Sequence, residues 1–300
     1  MERNIKFRYY KLEQQHKEKN KWHSDGAFDF IAWLDKVENN NLLTTTVELN
    51  DTKARVEKIK YYEKNQLWVL RFMKLRDENI PTIAKENNEA EDIPLNDDEY
   101  IGEDVYVLYD ECNKIAMVQS NRFSLGTERL AEYMNKTLNN DNKMRVKMKP
   151  IMKEININKL KGKKYKTIEL GFANIISDVP DSKSSLSSIM NTYRKFHGVS
   201  GHISISLGRT KGDTLNIVEI ENLLNEVPEY DNIVSAKIRI KDDDSEHMEW
   251  VDLFDNLMQD VIPFHISKRS SIGFDYAADN MIDCYAKRQG ELINLTSYPK

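Results

Sequence analysis

The 300-residue chain has only two cysteines, Cys112 and Cys284, and they lie far apart in sequence. They fit neither a zinc ribbon nor a CxxC redox pair, which excludes a disulfide scaffold and leaves thiols in a reducing compartment as the expected state. No stretch approaches roughly eighteen consecutive apolar residues, so no transmembrane helix is expected. The opening "MERNIKFRYYKLEQ" alternates charge with apolar residues and has no continuous apolar core of the kind a signal peptide needs. The chain therefore reads as cytoplasmic. A basic surplus is also missing: 44 Lys and Arg stand against 49 Asp and Glu, for a net charge of −5 and a pI near 5.8. Phosphate neutralisation supplies much of the affinity of a nucleic-acid-binding protein, so such binding would here need a local basic patch.

What is present is enough for one or two cores, since 40% of the residues are hydrophobic. Ile5, Phe7 and Tyr9 alternate with Lys6 and Arg8 as in a half-buried strand. "SDGAFDFIAWLDKVENN" offers Asp25 as a helix N-cap and Phe30, Trp33, Leu34 and Val37 on one helical face. "QLWVLRFMKLR" is apolar on both faces, with Leu67, Val69, Met73 and Leu75 opposite Trp68, Leu70 and Phe72, as a central strand covered on both sides requires. Residues 77–99 carry two prolines and many acids without periodicity and read as an acidic surface flap.

Strands at 105–109 and 115–119 follow, joined by "DECN", then a helix over 127–138 with Ser124 as its cap. "NNDNK" at 139–143 reads as a domain boundary, giving an N-terminal domain over 1–140 and a C-terminal domain over 141–300. Past it, strands and helices intermix without a regular βαβ beat, ending in an amphipathic helix from about Phe274 to Gln289. The expected class is α+β, two mixed sheet-and-helix domains with largely antiparallel strands.

Four groupings could carry chemistry. "SNRFSLGTERL" places Arg122 near a helix N-terminus, where anions bind. It has a single glycine, Gly126, and lacks the lysine and hydroxyl offsets of a phosphate loop, so a capped strand-to-helix connection outweighs a phosphate cradle. "HIS" occurs twice, as His202-Ile203-Ser204 and His265-Ile266-Ser267. Paired H-x-S/T motifs resemble the two-histidine phosphoesterases, and the resemblance would make His202 and His265 an acid/base pair with Ser204 and Ser267 as phosphate clamps. Lys268 departs from that pattern, and six histidines yield such matches by chance. Asp242, Asp243, Asp244, Glu246 and His247 cluster like hard-cation ligands but lack the EF-hand spacing and read as a polar turn. "DECNK", with Asp110, Glu111 and Lys114, has the wrong spacing for a nuclease acid-lysine grouping. Cys284 reads as packing and His197 as a favourable charge at a helix C-terminus. No cofactor and no metal site is expected.

"NQLWVLRFMKLRDENIPTIA", "DEYIGEDVYVLYDECNKIAMVQSNRFSLGTERLAEYM" and "WVDLFDNLMQDVIPFHISKRSSIGFDYAADNMIDCYAKR" together resemble a family of cytosolic bacterial, phage and prophage proteins of about this length, found among defence and counter-defence genes. Within it the chain is similar to phage inhibitors of the Gabija anti-phage complex, which encase their target as an oligomer. The resemblance implies a non-enzymatic, homo-oligomeric protein that binds a defence nuclease complex in the bacterial host cytoplasm. It assigns no contact residues. The acidic flap supplies candidates for a basic partner surface: Glu86, Glu89, Glu91, Asp92, Asp97, Asp98 and Glu99. A DNA-binding subunit of a defence system is the second expectation, with Lys161, Lys163 and Lys164 in the one dense basic run.

Overall fold

The computed structural model describes residues 1–19, 21–138, 143–153, 163–173, 185–196, 200–208, 214–227, 233–241, 248–252 and 257–296. In chain order the elements are β1 (Glu2–Glu18), β2 (Lys21–Ala27), α1 (Phe30–Asn39), β3 (Val47–Glu48), β4 (Lys53–Tyr62), β5 (Leu67–Arg76), β6 (Thr82–Lys85), β7 (Asn88–Asp92), β8 (Ile101–Asp110), β9 (Ile115–Gln119), α2 (Thr127–Leu138) and β10 (Met144–Pro150). They continue with β11 (Lys164–Ala173), α3 (Ser185–Lys195), β12 (Ser200–Ser206), α4 (Ile217–Glu226), β13 (Ile233–Lys241), β14 (Met248–Asp252), β15 (Gln259–His265) and α5 (Phe274–Thr296). The fold is α+β, with mostly antiparallel sheets.

The chain divides into two compact units, one of Met1–Lys17, His23–Met148 and Gln259–Ile293, the other of Glu18–Trp22, Lys149–Met258 and Asn294–Lys300. This differs from a single cut at 139–143, and the reason is strand pairing. β15 lies antiparallel to β1, with Ile5 opposite Ile262 and Phe7 opposite Asp260, so a late segment completes the first unit.

The first unit is built on a nine-stranded sheet in the order β10-β1-β9-β8-β5-β4-β3, with β15 and β2 also paired to β1. β5 sits inside it between β4 and β8. Its burial on both faces agrees with the apolar residues it carries on each: Val69, Leu70 and Phe72 have no exposed surface. α1 covers one face through Phe30, Trp33, Leu34 and Val37, the i, i+3, i+4, i+7 stripe of an amphipathic helix. Its N-cap is Asp29, whose side chain accepts from Ala32 N at 3.0 Å. Asp25 instead lies in β2, its carboxylate 2.5 Å from His16 Nδ1, so the helix begins four residues later than that cap would place it. α2 packs beside α1, and Trp33 Nε1 donates to Thr137 Oγ1 at 2.8 Å. Trp33 lies parallel to Phe72, while Tyr133 meets Phe72 edge-on and its hydroxyl accepts from Val56 N.

Residues 77–99 are not an irregular flap throughout, because β6 and β7 pair there as a two-stranded sheet of their own. All nine strand residues are exposed, so no inside-outside alternation marks them in the sequence. Ser124 does not cap α2; its hydroxyl donates to the Glu103 carbonyl. The last helix runs seven residues past Gln289, to Thr296.

The second unit carries a four-stranded antiparallel sheet, β12-β11-β13-β14. α3 and α4 pack with one face of it through Leu186, Met190, Ile220 and Leu223, against Ile168, Leu170, Ala236 and Ile238. Gly201 lies under the ring of Tyr193, where an added Cβ would meet ring carbon at 2.0 Å, and Tyr193 donates to the His202 carbonyl at 2.8 Å. That close approach explains a glycine within a strand.

The first core predicts its own weak point. Trp33→Ala removes a buried ring and strands Thr137, so stability should fall by about 3–5 kcal/mol, read as a lower urea midpoint with an unchanged slope.

Candidate interaction surfaces

Several chemistry-bearing residues of the first unit turn inward and pair completely. Asp110 closes the β8–β9 turn: its Oδ1 accepts from Cys112 N and Asn113 N, both at 2.9 Å. Its Oδ2 accepts from Asn113 Nδ2 at 2.7 Å, Tyr285 OH at 2.7 Å and Gln289 Nε2 at 3.1 Å. Asp110 is 1% exposed. Five donors leave it no capacity for a substrate proton or a cation, so "DECNK" is a turn that clamps α5. Asp260 does the same from β15, taking a bidentate grip from Arg288 at 2.9–3.0 Å and the Tyr9 hydroxyl at 2.7 Å. Cys284 Sγ lies 3.9 Å from that hydroxyl, and burial pushes its thiol up, away from the reactive thiolate.

The two "HIS" segments belong to different units. His202 and Ser204 stand on β12 in the four-stranded sheet, with His202 Nε2 4.0 Å from Glu169. His265 ends β15 in the nine-stranded sheet, 3.7 Å from Glu2, and Ser267 follows in an exposed turn. Neither unit by itself holds the pair. Asp242, Asp243, Asp244, Glu246, His247, His197 and Lys161 lie outside the described residues. Among the described residues no group of three or more His, Cys, Asp and Glu side chains is placed to hold a metal ion. Arg122 stacks on Phe123 at 4.6 Å, and the Phe123 carbonyl accepts from Lys74 at 3.1 Å. The loop before α2 is thus tied down by its own contacts.

Among the described residues, two exposed surfaces differ in sign. The first is the β6–β7 hairpin. Nine acidic residues and one basic residue fall within 77–99, so this segment carries −8 and the rest of the chain +3 of the total −5. Glu86 sits in the turn, Glu89, Glu91 and Asp92 on β7, and Asp97, Asp98 and Glu99 on the return, all exposed. Lys85 pairs with Glu91 at 2.5 Å, and Ile83 is 47% exposed beside it. Lys53 on β4 holds both ends of the segment, donating to Asp77 at 2.9 Å and to Tyr100 OH at 3.4 Å. The Asp77 hydrogen bond, then that of Tyr100, raises the Lys53 ammonium above its ordinary value.

The second surface is the face of the four-stranded sheet opposite its helices. Strand register places Ser204, Glu169, Lys237 and Asp252 in one row, and Ser206, Thr167, Arg239 and Trp250 in the next. Lys164 and Lys241 pair beyond them, so Lys164 lies on this face and Lys163 just before it. Sequence reading found the lysines but not Arg239 or Trp250, which only the register of β13 and β14 brings together.

An α+β protein with paired internal acids and two exposed charged surfaces is the class the structure defines. The chain belongs to a family of unknown function, DUF6731, whose profile matches residues 1–292. No curated protein and no solved structure matches it. No helix among the described residues is long and apolar enough to cross a membrane.

The internal network makes two expectations measurable. Asp110→Ala leaves Tyr285, Gln289 and Asn113 without an acceptor and should cost about 3 kcal/mol or more in urea denaturation. Burial first, and hydrogen bonds to Asp260 and Asp110 next, push the phenols of Tyr9 and Tyr285 far above their usual value. A phenol whose folded pKa is raised contributes fully below the unfolded pKa near 10 and loses that contribution as pH rises further, by about 1.4 kcal/mol per pH unit. Stability should therefore fall above about pH 10, and the fall should be shallower in Tyr9→Phe/Tyr285→Phe, read from denaturation midpoints at stepped pH.

Proposed function

We propose that the protein is a non-enzymatic binding protein whose acidic hairpin docks on the basic surface of a nucleic-acid-binding partner and competes there with DNA. The observation that carries this reading is the hairpin itself: a self-paired, fully exposed two-stranded element in a segment of charge −8, held at its base by Lys53. A protein that neutralises phosphates necessarily presents clustered Lys and Arg, and an acidic element of fixed shape complements that cluster. The resemblance noted in the sequence supports a partner class, a nuclease-containing bacterial anti-phage complex met in the host cytoplasm. Under that reading the chain is a phage-type counter-defence inhibitor working as a homo-oligomer.

Neutralising the hairpin as Glu86→Gln/Glu89→Gln/Glu91→Gln/Asp92→Asn tests it without deleting backbone. Host-lysate proteins retained by the immobilised wild-type chain should include a DNA-binding protein that added duplex DNA releases. The neutralised variant should retain at least tenfold less of it, a change of about 1.4 kcal/mol. Equal retention by both forms, or retention indifferent to DNA and salt, would remove the proposal.

A further inference from the structure

The open sheet face of the second unit combines features that a merely solvated surface does not need. Trp250 is 44% exposed in the middle of β14, and the Arg239 guanidinium lies over its ring at 5.8 Å. Arg239 Nε is buried without a hydrogen-bond acceptor among the described residues, although its neighbours across the sheet include the Thr167 and Ser206 hydroxyls. The described charges on this face are Lys164, Lys237, Arg239 and Lys241 against Glu169 and Asp252, and the Lys237–Asp252 ion pair is long at 3.8 Å.

We propose that this face is a docking platform for single-stranded nucleic acid. Trp250 offers a flat indole for one unstacked base, and Arg239 braces the ring and brings a positive charge beside it for the phosphates. Lys237 and Lys241 flank it along β13. Same-face residues two apart on a strand are separated by about 6.7 Å, a spacing that suits successive nucleotides of an extended strand. Serine and threonine hydroxyls on the neighbouring strands supply neutral hydrogen-bonding groups to sugar and phosphate. Duplex DNA hides its base faces, so a platform with one indole favours the single strand. This activity is separate from the acidic hairpin, which lies in the other unit and has the opposite charge.

The test uses the full chain with labelled oligothymidylate and oligouridylate, read by fluorescence anisotropy at low and physiological salt. Binding to at least one of them is expected, weaker for a labelled duplex, with quenching of indole emission that Trp250→Ala abolishes. Trp250→Ala and Arg239→Gln should each weaken binding about tenfold, within what loss of one base stack removes. Trp250→Phe should restore most of the affinity, which a folding defect would not allow. Lys237→Gln should lower the slope of log affinity against log salt by about one. The hairpin-neutralised variant should bind these oligonucleotides as the wild type does or better, so failure here and failure of the docking proposal are distinguishable. No binding of either oligonucleotide at low salt, affinity unchanged in Trp250→Ala/Arg239→Gln, or equal binding of a polyglutamate peptide would overturn the assignment.

Discussion

Strand β1 pairs with β15 through Glu2–Arg8 and with β9 through Phe7–Lys11, so Phe7 lies between Asp260 on one side and Gln119 on the other. The rest of the first unit depends on that double pairing. It fixes β15 to the sheet, and the chain leaving β15 then lays α5 across the same strands. Phe274 packs near Tyr106, Tyr285 near Tyr9, and the Tyr106 hydroxyl donates to the Ile272 carbonyl at 2.8 Å. α1 and α2 already cover the other face, so both faces of β9 and of the second half of β8 are dry and their apolar residues need not alternate.

A dry sheet makes its internal acids structural. Taking a carboxylate out of water is costly unless donors replace its hydration, and Asp110 and Asp260 each meet that condition with donors from α5. Asp110, buried, and Asp260, half-buried, are the strongly partnered groups that a search for catalytic residues would pick first, yet every lone pair they offer is already occupied by scaffold. Tyr9 and Tyr285 share that role, since the burial that raises their phenols keeps them hydrogen-bond donors beyond the pH of about 10 at which a free phenol ionises. The chemistry available to a partner is therefore on the outside, where charge is segregated between an acidic hairpin and a cationic sheet face.

Periodicity carried the reading of α1, β5, the β8–β9 hairpin and α2, because each has one or two buried faces that impose a repeat on the residues. It could not reveal β6 and β7, since exposure on both faces removes the repeat while backbone pairing persists. Nor could it reveal that 259–293 belongs with the N-terminal strands, because pairing partners across some 250 residues leave no local trace. Asp25 and Asp29 are both acceptable caps by type; Asp29 is chosen because Phe28 N bonds the Leu12 carbonyl and keeps β2 extended until then. The two "HIS" segments read alike in sequence and differ in place, one on an open sheet face beside Glu169 and one at a strand end beside Glu2. Arg239 and Trp250 show the converse, eleven positions apart in sequence and paired across β13 and β14.

The strength of an acidic hairpin as a docking element is limited by its own exposure. Ion pairs between solvent-exposed side chains contribute about 0–1 kcal/mol each and are screened by salt. In the docking proposed above, seven exposed carboxylates would therefore steer a basic partner and fix its register more than they hold it. Holding requires desolvation, and the hairpin carries one element suited to that: Ile83 on β6, 47% exposed and directly across from Glu91. An apolar contact at Ile83, ringed by carboxylates that meet Lys and Arg at the rim, has the arrangement of a small interface with a dry centre and a charged margin. Lys53 contributes by fixing the base of the segment at Asp77 and Tyr100, which reduces the ordering cost that a loose acidic loop would incur on docking.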